Sequence, residues 1–290
     1  WKSFARKLVE AAPTQKALLV DLRNHGDSAG LPPPHTVEAA AKDVDALCRH
    51  LGLRPRVVVG HSWGGKAMLQ LALTDPAPPE RGVEVAVIVD CPPGRRSFSA
   101  GKEEIDRVLT AVSAVPLPVT SRRDLVIALR EQGLAEPVAQ WMTTNLNAEM
   151  RWKFDLAAMP AMLASFGSLD LWPALWAHRA SLTVHFVRGG RSDRWSKEEE
   201  ANVKEAADKG VVIDHVVDHA GHWVHTDDPG ALFRLLEPFA KHGINMTRIE
   251  SRPSRKRKWD YVFFIDVDGH VSDPPLAQAL ASLEARASLF

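Results

Sequence analysis

Short apolar runs alternate with helix-like segments along the first three quarters of the chain. The run Val57, Val58 and Val59 is continuous and β-branched, without polar alternation. Such a run is typical of a strand that helices cover on both faces, and it predicts a strand over residues 56–60. Four other runs predict strands at residues 17–21, 83–90, 182–188 and 211–217.

Apolar residues at helical spacing separate these strands. Residues 36–51 carry them three to four positions apart and are followed by Gly52, a residue common just beyond a helix end. Residues 66–74 predict a second helix. The segment 97–180 also has a helical pattern, is rich in Trp and Met, and predicts a helical cap over the sheet. The repeating order of strand and helix therefore predicts an α/β fold class with a parallel sheet.

The composition says little about the fold but argues against some classes of binding partner. Of the 290 residues, 45% are apolar and 25% are charged, as in ordinary globular proteins. The formal net charge is zero, so no overall field favours nucleic acid or an anionic membrane surface. No apolar run approaches the roughly 20 residues of a membrane span.

The cysteine count and the first residue bear on localisation. Cys48 and Cys91 are too few for a disulfide framework, which indicates a reducing compartment. We therefore expect an intracellular protein, cytoplasmic or organellar, with mitochondrion and plastid both open. Because the chain starts at Trp1 rather than Met, we expect a fragment whose targeting signal cannot be inferred.

The pentapeptide Gly60-His61-Ser62-Trp63-Gly64 has the form G-x-S-x-G between a predicted buried strand and a predicted helix. Its glycines permit a tight turn that projects the Ser62 hydroxyl as a nucleophile. The helix that follows directs its first backbone amides towards the turn, so the amide of Trp63 is the expected donor to an oxyanion.

A serine nucleophile needs a base, and in this kind of fold the base follows the last strand of the sheet. His222, in Ala220-Gly221-His222, comes shortly after the strand predicted at 211–217 and is the expected general base. His219 and His225 are near enough in sequence to be confused with it.

Three aspartates are candidates for the acid that orients this histidine. Asp193 follows the strand predicted at 182–188, where such folds commonly supply the carboxylate, and Asp90 ends the strand after the nucleophile helix. Asp155 comes from the helical middle. Placement favours Asp193 and Asp90. We take Asp90 as the acid, with Asp193 and Asp155 as alternatives.

Three longer segments carry a more specific signal than the pentapeptide. They are Asp21-Leu22-Arg23-Asn24-His25-Gly26-Asp27-Ser28, Gly60-His61-Ser62-Trp63-Gly64-Gly65-Lys66 and Ala220-Gly221-His222-Trp223-Val224-His225. They resemble the α/β-hydrolase domain-containing protein 11 family and its small bacterial esterase relatives, over residues 1–229. The resemblance implies hydrolysis of small acyl esters of short or medium chain length, with thioesters as a further class, without a cofactor. No metal site is expected.

Carried over to this sequence, the family pattern implies Ser62 as nucleophile and His222 as base. For the acid, the family favours the position of Asp155, whereas a bacterial relative uses that of Asp90. Relatives generally lack an aspartate at the position of Asp193. Family members also have a strand and a His-Gly loop before the segment that matches residues 1–8. We therefore expect an N-terminally truncated hydrolase with weak activity.

The C-terminal segment has a different character. Strands are predicted at 245–251 and 261–267, and a helix at 274–287. The segment contains Gly230, Ala231 and Leu232, then Glu250, Ser251, Arg252 and Pro253. These motifs resemble the ACT regulatory domain of prephenate and arogenate dehydratases, in which they form a phenylalanine site between paired domains. The resemblance implies phenylalanine binding and a homodimer through a partial ACT-like segment at 230–290.

The two resemblances meet near residues 227–232, where one helix would serve both parts. No natural family known to us joins them, so the chain is interpreted as a chimera, an incorrectly assembled gene or a generated sequence. The basic run at 252–258 predicts a solvated loop rather than a nucleic-acid site. Three hypotheses follow: a serine esterase, a phenylalanine-sensing regulatory module, or a catalytically inactive fusion fragment.

Overall fold

The structure is a computed structural model that describes residues 17–74, 82–96, 102–178 and 182–228. The strands predicted at 245–251 and 261–267 and the helix predicted at 274–287 lie outside the described residues. So do the seven ACT-like candidate residues between Gly230 and Pro253.

A parallel sheet is the centre of the first of two compact units. Its described strands are β1 (Val57–His61), β2 (Val85–Val89), β3 (Thr183–Gly189) and β4 (Ile213–Val217), in the order β1-β2-β3-β4. The register pairs His61 with Val89, Val89 with Val187, and Gly189 with Val217. The carboxyl ends of all four strands therefore meet along one edge of the sheet.

The sheet forms because its strands can be covered on both faces. Every residue of β1 is buried, and Val58, Ile88 and Phe186 are fully buried in three neighbouring strands. Burial of each such side chain stabilises a fold by roughly 1.5–3 kcal/mol. The α/β fold class with a parallel sheet, predicted from these uninterrupted apolar runs, is confirmed.

The helices alternate with the strands early and late in the chain and follow one another in the middle. Their bounds are α1 Val37–His50, α2 Trp63–Thr74, α3 Lys102–Ala114, α4 Arg122–Glu131, α5 Glu136–Met142, α6 Met159–Ser168, α7 Trp172–Trp176, α8 Lys197–Asp208 and α9 Val224–Asp227. Short 3-10 turns lie at Gly26–Ser28 and Thr143–Asn145. The helices between 102 and 176 agree with the helical pattern of that stretch.

Two details differ from the sequence-based expectations. Residues 17–21 form no strand, because an apolar run becomes a strand only where a neighbouring strand offers a hydrogen-bonded ladder, which periodicity cannot specify. Helix α8 was not predicted, although Ser196 caps it by accepting a hydrogen bond from the Glu199 amide. Three glutamates in its first turn also favour a helix start at this point.

The chain divides into two compact units, each with its own core. Within the described ranges, the first unit comprises residues 17–20, 41–94 and 169–228 and contains the sheet. The second comprises residues 21–40 and 95–168. Its apolar cluster includes Val112, Leu125, Leu129, Met142 and Leu146, which come from α3, α4, α5 and the residue after the 3-10 turn.

Candidate active site

Ser62 lies at the turn between β1 and α2 with a φ of +54°. Its amide donates to the Val89 carbonyl at 3.0 Å, and its own carbonyl accepts from the Lys66 amide at 3.1 Å. A Cβ at Gly60 would lie 2.1 Å from the Gly64 carbonyl oxygen, so only glycine permits this close approach. A positive φ costs a non-glycine residue about 1–3 kcal/mol, and these contacts hold Ser62 in it.

His222 lies on the loop after β4, which packs directly against the end of β3. Two glycines permit this contact: a Cβ at Gly189 would lie 2.2 Å from the Gly221 carbonyl oxygen, and one at Gly190 would lie 2.6 Å from Asp218 Cα. The loop that carries His222 is therefore fixed by backbone packing, and not only by its own turn.

His61 joins this loop to the nucleophile turn. Its Nε2–H donates to the backbone carbonyl of His222 at 2.9 Å, and the two imidazole rings have centroids 4.7 Å apart. The Trp223 ring packs against both, at 5.4 Å from His61 and 5.3 Å from His222. The residue immediately before Ser62 thus contacts the expected base.

Asp90 is the carboxylate that meets His222. It follows β2, is 1% exposed and has a φ of +43°. Its Oδ2 accepts from His222 Nδ1 at 2.7 Å and from Ser192 Oγ at 2.5 Å. Its Oδ1 accepts from the Gly189 amide at 3.1 Å and from Trp195 Nε1 at 3.0 Å. Four donors therefore surround one buried carboxylate.

Burial raises the pKa of the Asp90 carboxyl above its ordinary value, because desolvation disfavours the charged form. The hydrogen bonds from Ser192, Gly189 and Trp195 and the charge of His61 act in the opposite direction. The site thus places an acid where its charge is unfavourable and surrounds it with groups that stabilise that charge.

The same contact determines which nitrogen of His222 can act as a base. An ionised carboxylate only accepts hydrogen bonds, so the proton of neutral His222 lies on Nδ1, facing Asp90. Nε2 is then the unprotonated nitrogen, which has the lone pair that a general base needs.

The two alternative aspartates have other partners. Asp193 is 74% exposed in its side chain and pairs with Arg194 Nε at 3.1 Å. Asp155 belongs to the second unit, where its Oδ1 accepts from the Ala157 amide at 3.0 Å. Placement after a strand and family likeness had favoured them, but neither signal specifies which carboxylate reaches a histidine loop far away in sequence.

His219 and His225, the histidines near His222 in sequence, were also located where the structure describes them. His219 is 55% exposed and lies 3.0 Å from the Asp228 carboxylate. The side chain of His225 lies outside the described part. Trp63 begins α2, so its amide lies at the helix N-terminus beside Ser62, as expected.

The donors that hold Asp90 have no signal in the sequence. Ser192 and Trp195 follow β3, in the same loop as Asp193, which had been an alternative acid for the triad. This loop contributes these two neutral donors to Asp90 instead of a carboxylate. No motif distinguishes them, because a serine and a tryptophan in a loop are ordinary until the loop is folded against β2.

A second buried polar network lies next to the nucleophile helix. Lys66 is fully buried, and its Nζ donates to the Gly94 carbonyl at 2.7 Å. Glu199 is 8% exposed and accepts from Trp172 Nε1 at 3.0 Å. Burial raises the pKa of Glu199, while hydrogen bonds from Trp172 and the Gly94 amide and the charge of Lys66 oppose the shift. The loop after Asp90 is thereby tied to both α2 and α8.

The described ranges were also searched for metal-ligand groups and for helices that could span a membrane. Within them, no three His, Cys, Asp or Glu side chains group as ligands for a metal ion. Nor does any helix in those ranges have the length and apolar character to cross a membrane.

Comparisons with known proteins bear on the family and the fold of the chain. A model of the α/β-hydrolase family matches residues 1–235, and a model of the ACT domain matches residues 223–285. The mouse protein named sn-1-specific diacylglycerol lipase ABHD11 is 29% identical over 237 residues, which cover 79% of this chain and 72% of the mouse protein. A solved marine microorganism esterase has the same fold, with a TM-score of 0.57, 20% identity and coverage of 71% of this chain and 77% of the esterase.

The C-terminal part is similar to different proteins. The bifunctional chorismate mutase/prephenate dehydratase of Aquifex aeolicus is 55% identical over 60 residues, which are 21% of this chain. The chain spans only 17% of that relative's length. Since the hydrolase match covers most of the residues, the chain belongs to the α/β-hydrolase family and carries an ACT domain at its C-terminus.

Proposed function

We propose that this chain hydrolyses small acyl esters, with Ser62 as nucleophile, His222 as general base and Asp90 as the acid that orients it. The observation that carries the proposal is the 2.7 Å hydrogen bond from His222 Nδ1 to the buried Asp90. It lies beside a turn that holds Ser62 at a φ of +54°. Strain of this kind occurs preferentially at functional sites.

The reaction proceeds through an acyl-enzyme. Ser62 Oγ attacks the ester carbonyl carbon while His222 Nε2 accepts its proton, and the Trp63 amide donates to the oxyanion. Collapse of the tetrahedral species expels the alcohol, which takes the proton from His222. Water then attacks the acyl-enzyme in the same way, releasing the acid and returning a proton to Ser62. No cofactor is required.

The substrate class is supported by the family and by one relative's name. The mouse relative is named a diacylglycerol lipase, which makes glycerol esters one class to assay beside simple acyl esters. Thioesters are a further class, because the same acyl-enzyme forms with a thiolate as leaving group.

The test is covalent labelling with a fluorophosphonate probe, which reacts with an activated serine. We expect the wild type to label, Ser62→Ala not to label, and Ser113→Ala to label as the wild type does. Ser113 is an exposed serine whose Oγ–H donates to the Leu109 carbonyl at 2.7 Å, and the proposed reaction does not use it. Equal labelling of wild type and Ser62→Ala, or no labelling of a cooperatively melting wild type, contradicts the proposal and favours an inactive fusion fragment.

For the C-terminal part we propose phenylalanine binding and dimerisation as a second function. The ACT match over 223–285 and the 55% identity to the Aquifex aeolicus protein support it. Gly230, Ala231, Leu232 and residues 250–253 are the expected contacts. Calorimetric titration with L-phenylalanine should give saturable heat, and D-phenylalanine should give little. A flat titration, or a monomer by sedimentation with saturating ligand, contradicts this function.

A further inference from the structure

The carboxylate of Asp90 lies in an environment that opposes its charge, so the donors around it determine whether it can orient a histidine. Three of the four donors come from β3 and the loop after it: the Gly189 amide, Ser192 Oγ and Trp195 Nε1. The Gly189 amide is fixed by the backbone. Ser192 donates to Oδ2, the same oxygen that meets His222, whereas Trp195 donates to Oδ1.

The indole of Trp195 differs from the other donors in chemistry. An indole N–H donates and cannot accept, so it stabilises only an acceptor oxygen and cannot adapt to a protonated carboxyl that donates to it. The Ser192 hydroxyl can rotate and do either. A carboxylate that must remain an acceptor is therefore best held by the indole.

The ring of Trp195 is buried and contacts two side chains of β3. It is 6% exposed and meets Phe186 edge to face, with centroids 5.7 Å apart and an interplanar angle of 83°. The Arg188 guanidinium lies over the ring, 5.2 Å from its centroid. Arg188 is itself fixed by two hydrogen bonds of 2.8 Å to the Asp214 carboxylate. Side chains of β3 and β4 thus hold the Trp195 indole that donates to Asp90.

We infer that Trp195 is a positioning residue for the proposed reaction: its N–H, held by the Arg188–Asp214 pair, fixes Asp90 as an acceptor that presents Oδ2 to His222. The inference rests on the proposed function, since Asp90 matters to catalysis only if His222 is the base. It also explains why the loop after β3, which carries the exposed Asp193, contributes to the site through neutral donors.

The experiment is the pH profile of kcat/KM for a simple acyl ester, measured on wild type and Trp195→Phe. Phenylalanine keeps an aromatic ring against Phe186 and Arg188 but removes the donor. Removing a group that stabilises the carboxylate raises the proton affinity of the Asp90–His222 pair. We expect the acidic limb of the profile to move to higher pH by about one unit, so that kcat/KM falls by up to about tenfold on the acidic side and is unchanged on the alkaline plateau.

A purely structural role predicts a different result. If Trp195 only fills space, Trp195→Phe lowers kcat/KM equally at all pH values and leaves the limb where it was, which overturns the inference. Trp176→Phe is the matched control, because Trp176 is 41% exposed and packs against Lys209 at the surface. Its limb should coincide with that of the wild type.

A second variant tests the inference if Trp195→Phe does not fold, and an NMR titration tests it without a measurement of activity. If Trp195→Phe does not melt cooperatively, Phe186→Leu decides by the same profile, because it removes the edge-to-face contact that orients the indole and changes no charge. An upward shift supports the inference, and an unmoved limb overturns it. The His222 titration by NMR in Ser62→Ala should also move upward with Trp195→Phe. Absence of Ser62-dependent turnover in the wild type overturns the proposed function, whereas an unmoved limb in an active enzyme overturns this inference alone.

Discussion

His222 Nδ1 donates a 2.7 Å hydrogen bond to Asp90 Oδ2 across 132 positions of the chain. The contact joins the loop after β4 to the end of β2, two strands away in the sheet. It selects one carboxylate among three that sequence patterns left open, and this selection can be tested by substitution.

Asp90→Asn should reduce kcat/KM for an acyl ester by about 10³–10⁴, because an amide in this position no longer fixes the proton of His222 on Nδ1. Asp193→Asn and Asp155→Asn should change it less than about threefold, since their carboxylates bond elsewhere. Steady-state kinetics of the three variants make the comparison. A loss with Asp193→Asn or Asp155→Asn as large as with Asp90→Asn is incompatible with the assignment.

Asp90→Asn, although it should lower activity, should raise the stability of the folded protein at pH 7. Because burial raises the pKa of Asp90 in the folded state, its contribution to stability is present below its unfolded pKa and is lost as pH rises through its folded pKa. A neutral asparagine avoids that loss, so Asp90→Asn should have a higher Tm than the wild type at pH 7 and a similar Tm near pH 4. Melting curves at both pH values measure it, with Asp193→Asn as the control. A lower Tm at pH 7 contradicts the expectation.

The stacked pair His185 and His215 should make the fold sensitive to acid. Their rings are parallel within 2° and joined by a 3.0 Å hydrogen bond between His185 Nδ1 and His215 Nε2. Burial, with a smaller contribution from the charge of His215, lowers the pKa of His185 to about 3. Folded protein thus holds this imidazole neutral at pH values where the unfolded chain protonates it.

This difference in the pKa of His185 between the folded and unfolded states makes the protein less stable as pH falls. Stability from His185 is complete above its unfolded pKa and falls as pH drops from about 6.5 towards 3, by up to about 1.4 kcal/mol per pH unit. His185→Gln should flatten this fall, whereas substitution of the exposed His50 by Gln should leave it unchanged. Urea unfolding at pH 7, 6 and 5 gives the slopes. Equal slopes in all three proteins are the outcome that contradicts the expectation.

Lys66 and Glu199 should couple strongly, because both are buried on either side of Gly94. Lys66→Met should lower the free energy of unfolding by about 3 kcal/mol, since it leaves a buried carboxylate without its nearby cation. The double variant Lys66→Met/Glu199→Gln should lose clearly less than the sum of the single losses.

An exposed pair is the control for this cycle. Lys204 and Asp208 lie 2.5 Å apart with side chains 73% and 63% exposed, so Lys204→Met should cost less than about 1 kcal/mol. Denaturant unfolding of all variants gives the coupling energy. Additive losses for Lys66 and Glu199 contradict a shared network.

Local features were predicted well because their causes are local. Val57, Val58 and Val59 predict a buried strand wherever they are covered, and Gly60 together with the following helix predicts the turn at Ser62. Helix α8 also has local signals, the capping residue Ser196 and the glutamates of its first turn, and these favour a helix start there. The run at 17–21 failed because a strand requires a partner, which its own residues do not encode.

The sequence by itself determined the α/β alternation, the turn at Ser62 and the loop position of His222, since each depends on a few neighbouring residues. Only the tertiary structure decided that Asp90 meets His222, and that Ser192, Trp195 and the Arg188–Asp214 pair support it. The physical reason is that the charge of a buried carboxylate depends on burial and on its donors. Those donors come from strands that are distant in sequence and become neighbours only when the sheet has formed.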